Sequence, residues 1–134
     1  MYGLSDIYLL YAEALNARGD REKAINYLNF VRKRAQLPVY DMNAPELATP
    51  YALETAILNE RQLELFGEGK RWFDLVRTDR VKEVMDPILK RRQEDAGSLE
   101  IPGFLDPKNR AYWPLNRNVL NSNSLLVQNP GYTD

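Results

Sequence analysis

Glu60 and Glu64 stand one helical turn apart, so two carboxylates can project from the same side of one helix. Two carboxyl groups about 5–5.5 Å apart, flanking an open cleft, are what a retaining glycosidase uses as acid and nucleophile. Their surroundings argue against that chemistry. At about 100° per residue, Leu53, Ala56, Ile57 and Leu63 share the face on which both glutamates fall. The carboxylates therefore point into packing, where an unpaired charge costs several kcal/mol or is neutralised. Arg71 and Arg77 supply positive charge just across the Gly67-Glu68-Gly69 corner. The expectation is a structural charge network of Glu60, Glu64, Arg71 and Arg77 that locks two helices together. Arginines beside a carboxylate lower its pKa, whereas a general acid needs a raised one. No catalytic residue is assigned, and the chain is expected not to be an enzyme. A metal site on the two glutamates is also poor, because the motif offers neither a His nor a third oxygen ligand. No metal or cofactor is expected.

Composition narrows the field further. The sequence has no His and no Cys, which removes imidazole catalysis, thiol nucleophiles, thiolate metal sites and disulfides. Lys and Arg number 18 against 19 Asp and Glu, a net charge of −1, which excludes a nucleic-acid binder working by bulk charge. No run of about 18 apolar residues is present to span a membrane. The 134 residues suffice for one domain, 1–134, with a core of its own.

The elements that must position these residues read as helical hairpins. Ile7, Leu10, Tyr11, Ala14 and Leu15 recur at helical spacing from Ser5 to Arg18, with Ser5 or Asp6 able to cap the start. Gly19-Asp20 breaks the pattern. A second helix, Arg21 to Gln36, places Ala24, Ile25, Leu28 and Val31 on one face, and Pro38 stops it. Residues 1–38 thus form a first hairpin, with small Ala12 and Ala24 allowing the close approach of a tetratricopeptide-like pair. Pro38, Pro45 and Pro50 make a connector. A second hairpin spans 51–86. Its first helix ends near Phe66, and its second carries a Trp72, Phe73, Val76 stripe with Asp74 and Arg77 opposite. That pattern continues weakly through Val81, Val84 and Met85, and Pro87 can open another turn. Residues 87–134 read as a loop and wrapping tail. Lys90 to Arg110 is a long polar loop, and its Lys90-Arg91-Arg92 run is a solvated face. The tail is extended, with a tight turn at Asn129-Pro130-Gly131. The fold class is all-α: tetratricopeptide-like helical hairpins in series, a long irregular loop and an extended C-terminal tail.

Three blocks, in order, carry a family resemblance. Ile7 to Asn16 leading to Ala24 to Ala35 is the first. Glu60-Arg61, Glu64-Leu65 and Gly69-Lys70-Arg71-Trp72-Phe73-Asp74-Leu75-Val76-Arg77 form the second. Trp113-Pro114-Leu115 with Leu126-Val127-Gln128-Asn129-Pro130-Gly131-Tyr132 is the third. Together they resemble the C-terminal part of the SusD/RagB family, outer-membrane lipoproteins of Bacteroidetes. The departures are Asn116 and Val119, where family endings often carry a proline and a glutamate. The resemblance implies a longer parent protein, of which this chain is a fragment. It implies non-catalytic binding of a nutrient, an oligosaccharide or polysaccharide or a peptide, on the outer-membrane surface of the cell. It further implies hand-over to a TonB-dependent, SusC-like transporter, and membrane attachment only through a lipid anchor absent from this chain. If the chain is such a fragment, an apolar patch larger than about 400 Å² is expected on its surface, or a dimer that hides one.

Sugar faces stack on aromatic rings, and hydroxyls want bidentate polar partners. Tyr40 with Asp41 and Asn43, and Phe104 with Asn109 and Arg110, have the right types. The competing reading, that these aromatics anchor loops to the helices, is the stronger for both groups, so no ligand-binding residue is assigned. A different class of function also fits the hairpin pattern: a cytoplasmic tetratricopeptide-like adaptor that holds a protein tail in a helical groove.

Overall fold

The computed structural model describes residues 3–97, 112–129 and 132. Helices α1 (Leu4–Ala17), α2 (Arg21–Arg34), α3 (Pro50–Glu64), α4 (Arg71–Arg77), α5 (Val81–Ala96) and α6 (Arg117–Ser122) form, with a 3-10 turn at Pro45–Leu47. Among the described residues there is no strand. None of these helices is long and apolar enough to cross a membrane. The chain forms two compact units, Met1–Arg71 and Trp72–Asp134.

In the first unit α1, α2 and α3 pack on one another, and the 3-10 turn packs on α3. The core is Leu9, Ala12, Leu15, Ala24, Ile25, Leu28, Val31, Ala44, Leu47, Leu53 and Ile57. Ala12 and Ala24 are fully buried, as a close α1–α2 approach requires. The hairpin turns through a Schellman motif: Asp20 N donates to Leu15 O at 2.9 Å and Gly19 N to Asn16 O at 3.0 Å. The same device closes α2, where Leu37 N reaches Arg32 O at 2.9 Å and Gln36 N reaches Lys33 O at 3.0 Å. Gln36 takes a positive φ of 57° to do so. Helix α2 therefore ends at a left-handed residue two positions before Pro38.

Helix α3 starts as its sequence suggests. Thr49 Oγ1 accepts from Ala52 N at 3.0 Å, and Pro50 fills the first helical position, where an N–H has no partner in any case. Helix α1 does not: Gly3 occupies its N-cap without a side-chain bond, and Asp6, expected to be a cap, is fully buried. Leu63 is 67% exposed, although it was expected to share the face of Leu53 and Ile57. The buried arc of α3 runs from Glu60 through Leu53 and Ile57 to Arg61 and Leu58, which leaves Leu63 at its far edge.

The second unit differs more from its pattern. In α4 the buried residues are Asp74 and Leu75, while Phe73 is 69% exposed. Seven residues make only two turns, too few for periodicity to decide the inward face. The Asp74 carboxylate turns inward because the more exposed Arg77 reaches it and neutralises it. Helix α4 also ends in a Schellman motif, with Arg80 N on Leu75 O at 2.9 Å and Asp79 at φ 58°. Helix α5 runs through Pro87 and on to Ala96, so the first part of the polar loop expected from Lys90 is helical as far as Gly97, the left-handed residue that ends the helix; the rest of that stretch lies outside the described residues. Lys90 to Ala96 lacks Gly and Pro and is mostly good helix formers, and one proline removes only one backbone donor.

Among its described residues the tail carries one short helix, α6, capped by Asn116, whose side chain accepts from Asn118 N at 2.9 Å. Beside it, residues 112–115 are paired by side chains. Gln128 Oε1 accepts from Leu115 N at 2.7 Å and its Nε2 donates to Leu115 O at 3.1 Å. Asn129 Nδ2 donates to Trp113 O at 2.7 Å, and Tyr132 OH donates to Tyr112 O at 3.0 Å. An amide offers donor and acceptor together, which is why Gln and Asn can stand in for a neighbouring strand. The turn expected at Asn129-Pro130-Gly131 extends beyond the described residues.

Candidate functional site

The charged residues singled out by sequence all find partners, but mostly different ones. Glu60 is buried, and its Oε2 accepts from Arg32 Nη1 at 2.6 Å. Glu64 pairs with Arg34. Both arginines sit in the last turn of α2. Nearness across the Gly67-Glu68-Gly69 corner had pointed to Arg71 and Arg77. The glutamate face of α3 turns toward α2 instead, so the closer partners come from 28 and 30 residues away. Arg71 Nη1 donates to Leu58 O at 2.9 Å, and Arg77 Nη2 lies 2.8 Å from Asp74 Oδ1 within α4. Each glutamate thus has its own arginine rather than an open cleft.

Arg32 does more than neutralise Glu60. Its Nε donates to Pro38 O at 2.7 Å, and its guanidinium lies 4.5 Å from the centre of the Tyr40 ring. Asn29 clamps the Tyr40 backbone from the other side, donating to its O at 2.9 Å and accepting from its N at 2.8 Å. Asp41 Oδ1 accepts from Asn43 N at 2.7 Å in a local turn. Tyr40, weighed as a sugar contact, therefore fastens the connector to α2, while Asp41 and Asn43, weighed with it, bond each other in the turn. Arg21 adds bonds to Met42 O at 2.6 Å and Leu47 O at 3.3 Å, and Asn16 donates to Pro50 O at 2.8 Å. Phe104, Asn109 and Arg110 lie outside the described residues.

The most buried charge cluster was missed from sequence. Asp6 on α1 is fully buried between Arg61 of α3, whose Nη1 lies 2.6 Å from Oδ1, and Lys70, whose Nζ lies 2.6 Å from Oδ2. Lys70 also meets Glu68 at 2.8 Å. Burial pushes the Asp6 carboxyl up, but the hydrogen bonds and charges of Lys70 and Arg61 outweigh it and hold the group below its usual 3.8. The hydrogen bonds that Lys70 donates to Asp6 and then to Glu68 raise its pKa above 10.5. Gly67 and Gly69, at φ 83° and 70°, turn the chain so that Lys70 can reach back to α1. A usable signal existed for the amides. Asn16 follows Ala12, and Asn29 follows Ile25, by one turn, so each sits in an apolar stripe as Glu60 does. Asp6, at the start of a helix, looks like a cap, and its role is invisible without α3.

Among the described residues, every buried side-chain nitrogen and oxygen has a hydrogen-bond partner, and no group of three or more acidic side chains could hold a metal. The arrangement ties elements together: α1 to α3 and the corner, α2 to α3, and α2 to the connector.

Similarity to known proteins accords with this architecture. Residues 1–132 match the SusD family. SusD-like protein P38 of Formosa agariphila is 37% identical, the match covering 98% of this chain and 24% of that protein. SusD-like protein P2 of the same organism is 31% identical over 96% of this chain and 25% of its own length. The chain thus spans about a quarter of these relatives. A SusD superfamily crystal structure from Bacteroides fragilis superposes with a TM-score of 0.66 at 33% identity, covering 98% of this chain and 28% of its own. Another, from Bacteroides vulgatus, gives 0.72 at 24% identity, with 96% and 26% covered, and shares the fold. With all but its last two residues matched, this helical chain belongs to the SusD family.

Proposed function

We propose that this chain is a helical scaffold for nutrient capture at the cell surface, in a SusD-like protein that binds a glycan or a peptide. It passes the ligand to a TonB-dependent, SusC-like transporter in the outer membrane. The observation that carries the reading is the family match over residues 1–132. The structure supports a binding role without catalysis. Glu60 and Glu64, the residues with the spacing for paired-carboxylate chemistry, are each joined to an arginine of α2. The ion pairs of Glu60 with Arg32, of Glu64 with Arg34 and of Asp6 with Arg61 and Lys70 serve the architecture, and ligand contacts fall elsewhere.

The test has two arms. The chain, and the longest SusD-like polypeptide that contains it, are titrated with a panel of oligosaccharides and peptides. A tagged copy is then purified from outer membranes that also contain a SusC-like transporter. Saturable binding of one ligand class and co-purification of the transporter are expected. Absence of both would overturn the reading, and stoichiometric capture of a cytoplasmic protein tail would replace it with the adaptor.

A further inference from the structure

We draw no further inference here: the strongest candidate, the exposed apolar face of the α1–α2 hairpin that carries Leu4, Ile7, Tyr11 and Phe30, is an unpartnered helix face, and nothing in the structure shows what covers it.

Discussion

Replacing Asp6 with Asn keeps the shape of the side chain and removes the charge between Arg61 and Lys70. Arg61 stays buried at 3% side-chain exposure and loses its partner carboxylate. Breaking a buried pair by removing one partner costs about 3–5 kcal/mol, because a charge is left poorly compensated in a dry site. Lys70 adds little to this, since it remains partly exposed and keeps Glu68. A unit the length of Met1–Arg71 has a total stability of roughly 4–10 kcal/mol at 0.05–0.15 kcal/mol per residue. Asp6→Asn therefore removes between about a third and all of that. Both tryptophans, Trp72 and Trp113, lie in the second unit, so neither is a probe placed in the first. Urea unfolding followed by far-UV circular dichroism, with hydrogen exchange at the amides of α1 and α3, reads the first unit directly. A double-mutant cycle with Arg61→Met isolates the pair, and the double variant should be more stable than Asp6→Asn alone. A loss below about 1 kcal/mol in Asp6→Asn, or a coupling energy within about 0.5 kcal/mol of zero, refutes the reasoning.

Further outcomes follow from the same geometry. Arg32→Lys keeps the charge near Glu60 but loses the planar fork that also serves Pro38 O and the Tyr40 ring; a loss of about 1–3 kcal/mol is expected in urea melts, and wild-type stability would show that these contacts are idle. Arg71→Ala removes a charged hydrogen bond to Leu58 O and should cost about 1.5–3 kcal/mol without changing ligand affinity; lost affinity at an unchanged melting temperature would place Arg71 in the binding site instead. Gln36→Gly relieves about 1–2 kcal/mol of left-handed strain and adds roughly 0.5–1 kcal/mol of unfolded-state entropy, so a net gain of about 0.5–1 kcal/mol is expected; a destabilised variant would contradict the α2 ending. Asp6 has a lowered folded pKa, so the unfolded state binds the proton more readily. Its contribution is complete above 3.8 and is lost as pH falls through the lower folded value. Lys70 has a raised one, so its contribution is complete below 10.5 and is lost as pH rises through the folded value. Melting temperature against pH should show both limbs, and Asp6→Asn should flatten the acid limb relative to wild type; an unchanged acid limb would exclude Asp6 as its source.

Local chemistry made much of the first unit readable. The Gly19-Asp20 turn and the Thr49-Pro50 start depend on residues adjacent in sequence, and the Ala12–Ala24 approach on two helices joined by a short turn. Helical periodicity marked both α1 and α2 as helices and gave the inward face of α2, but of the expected α1 stripe only Leu15 is buried, Ile7, Tyr11 and Ala14 being exposed while Leu9 and Ala12 turn inward. It failed in α4, where two turns do not define a face, and at Leu63, where the buried arc of α3 is set by what packs against it. Lys90 to Ala96 read as loop because composition cannot distinguish an exposed helix from a polar coil. Two of the helix ends were hidden because Gln36 and Asp79, not glycines, take the left-handed conformation.

The charged residues divide along the same line. That Glu60 and Glu64 need positive partners is dictated by their place in an apolar stripe, since a buried carboxylate cannot stand alone. Which arginines answer them is not, because the choice depends on the packing of α2 against α3 across about 30 residues of chain. Asp6 shows the limit most clearly. As a residue it suits a helix cap; only when α3 brings Arg61 and the glycine corner brings Lys70 does it become the most buried charge among the described residues. Sequence carries the demand for a counter-charge, a property of one residue and its near neighbours. The partner is a property of the fold, because ion pairing follows distance in space.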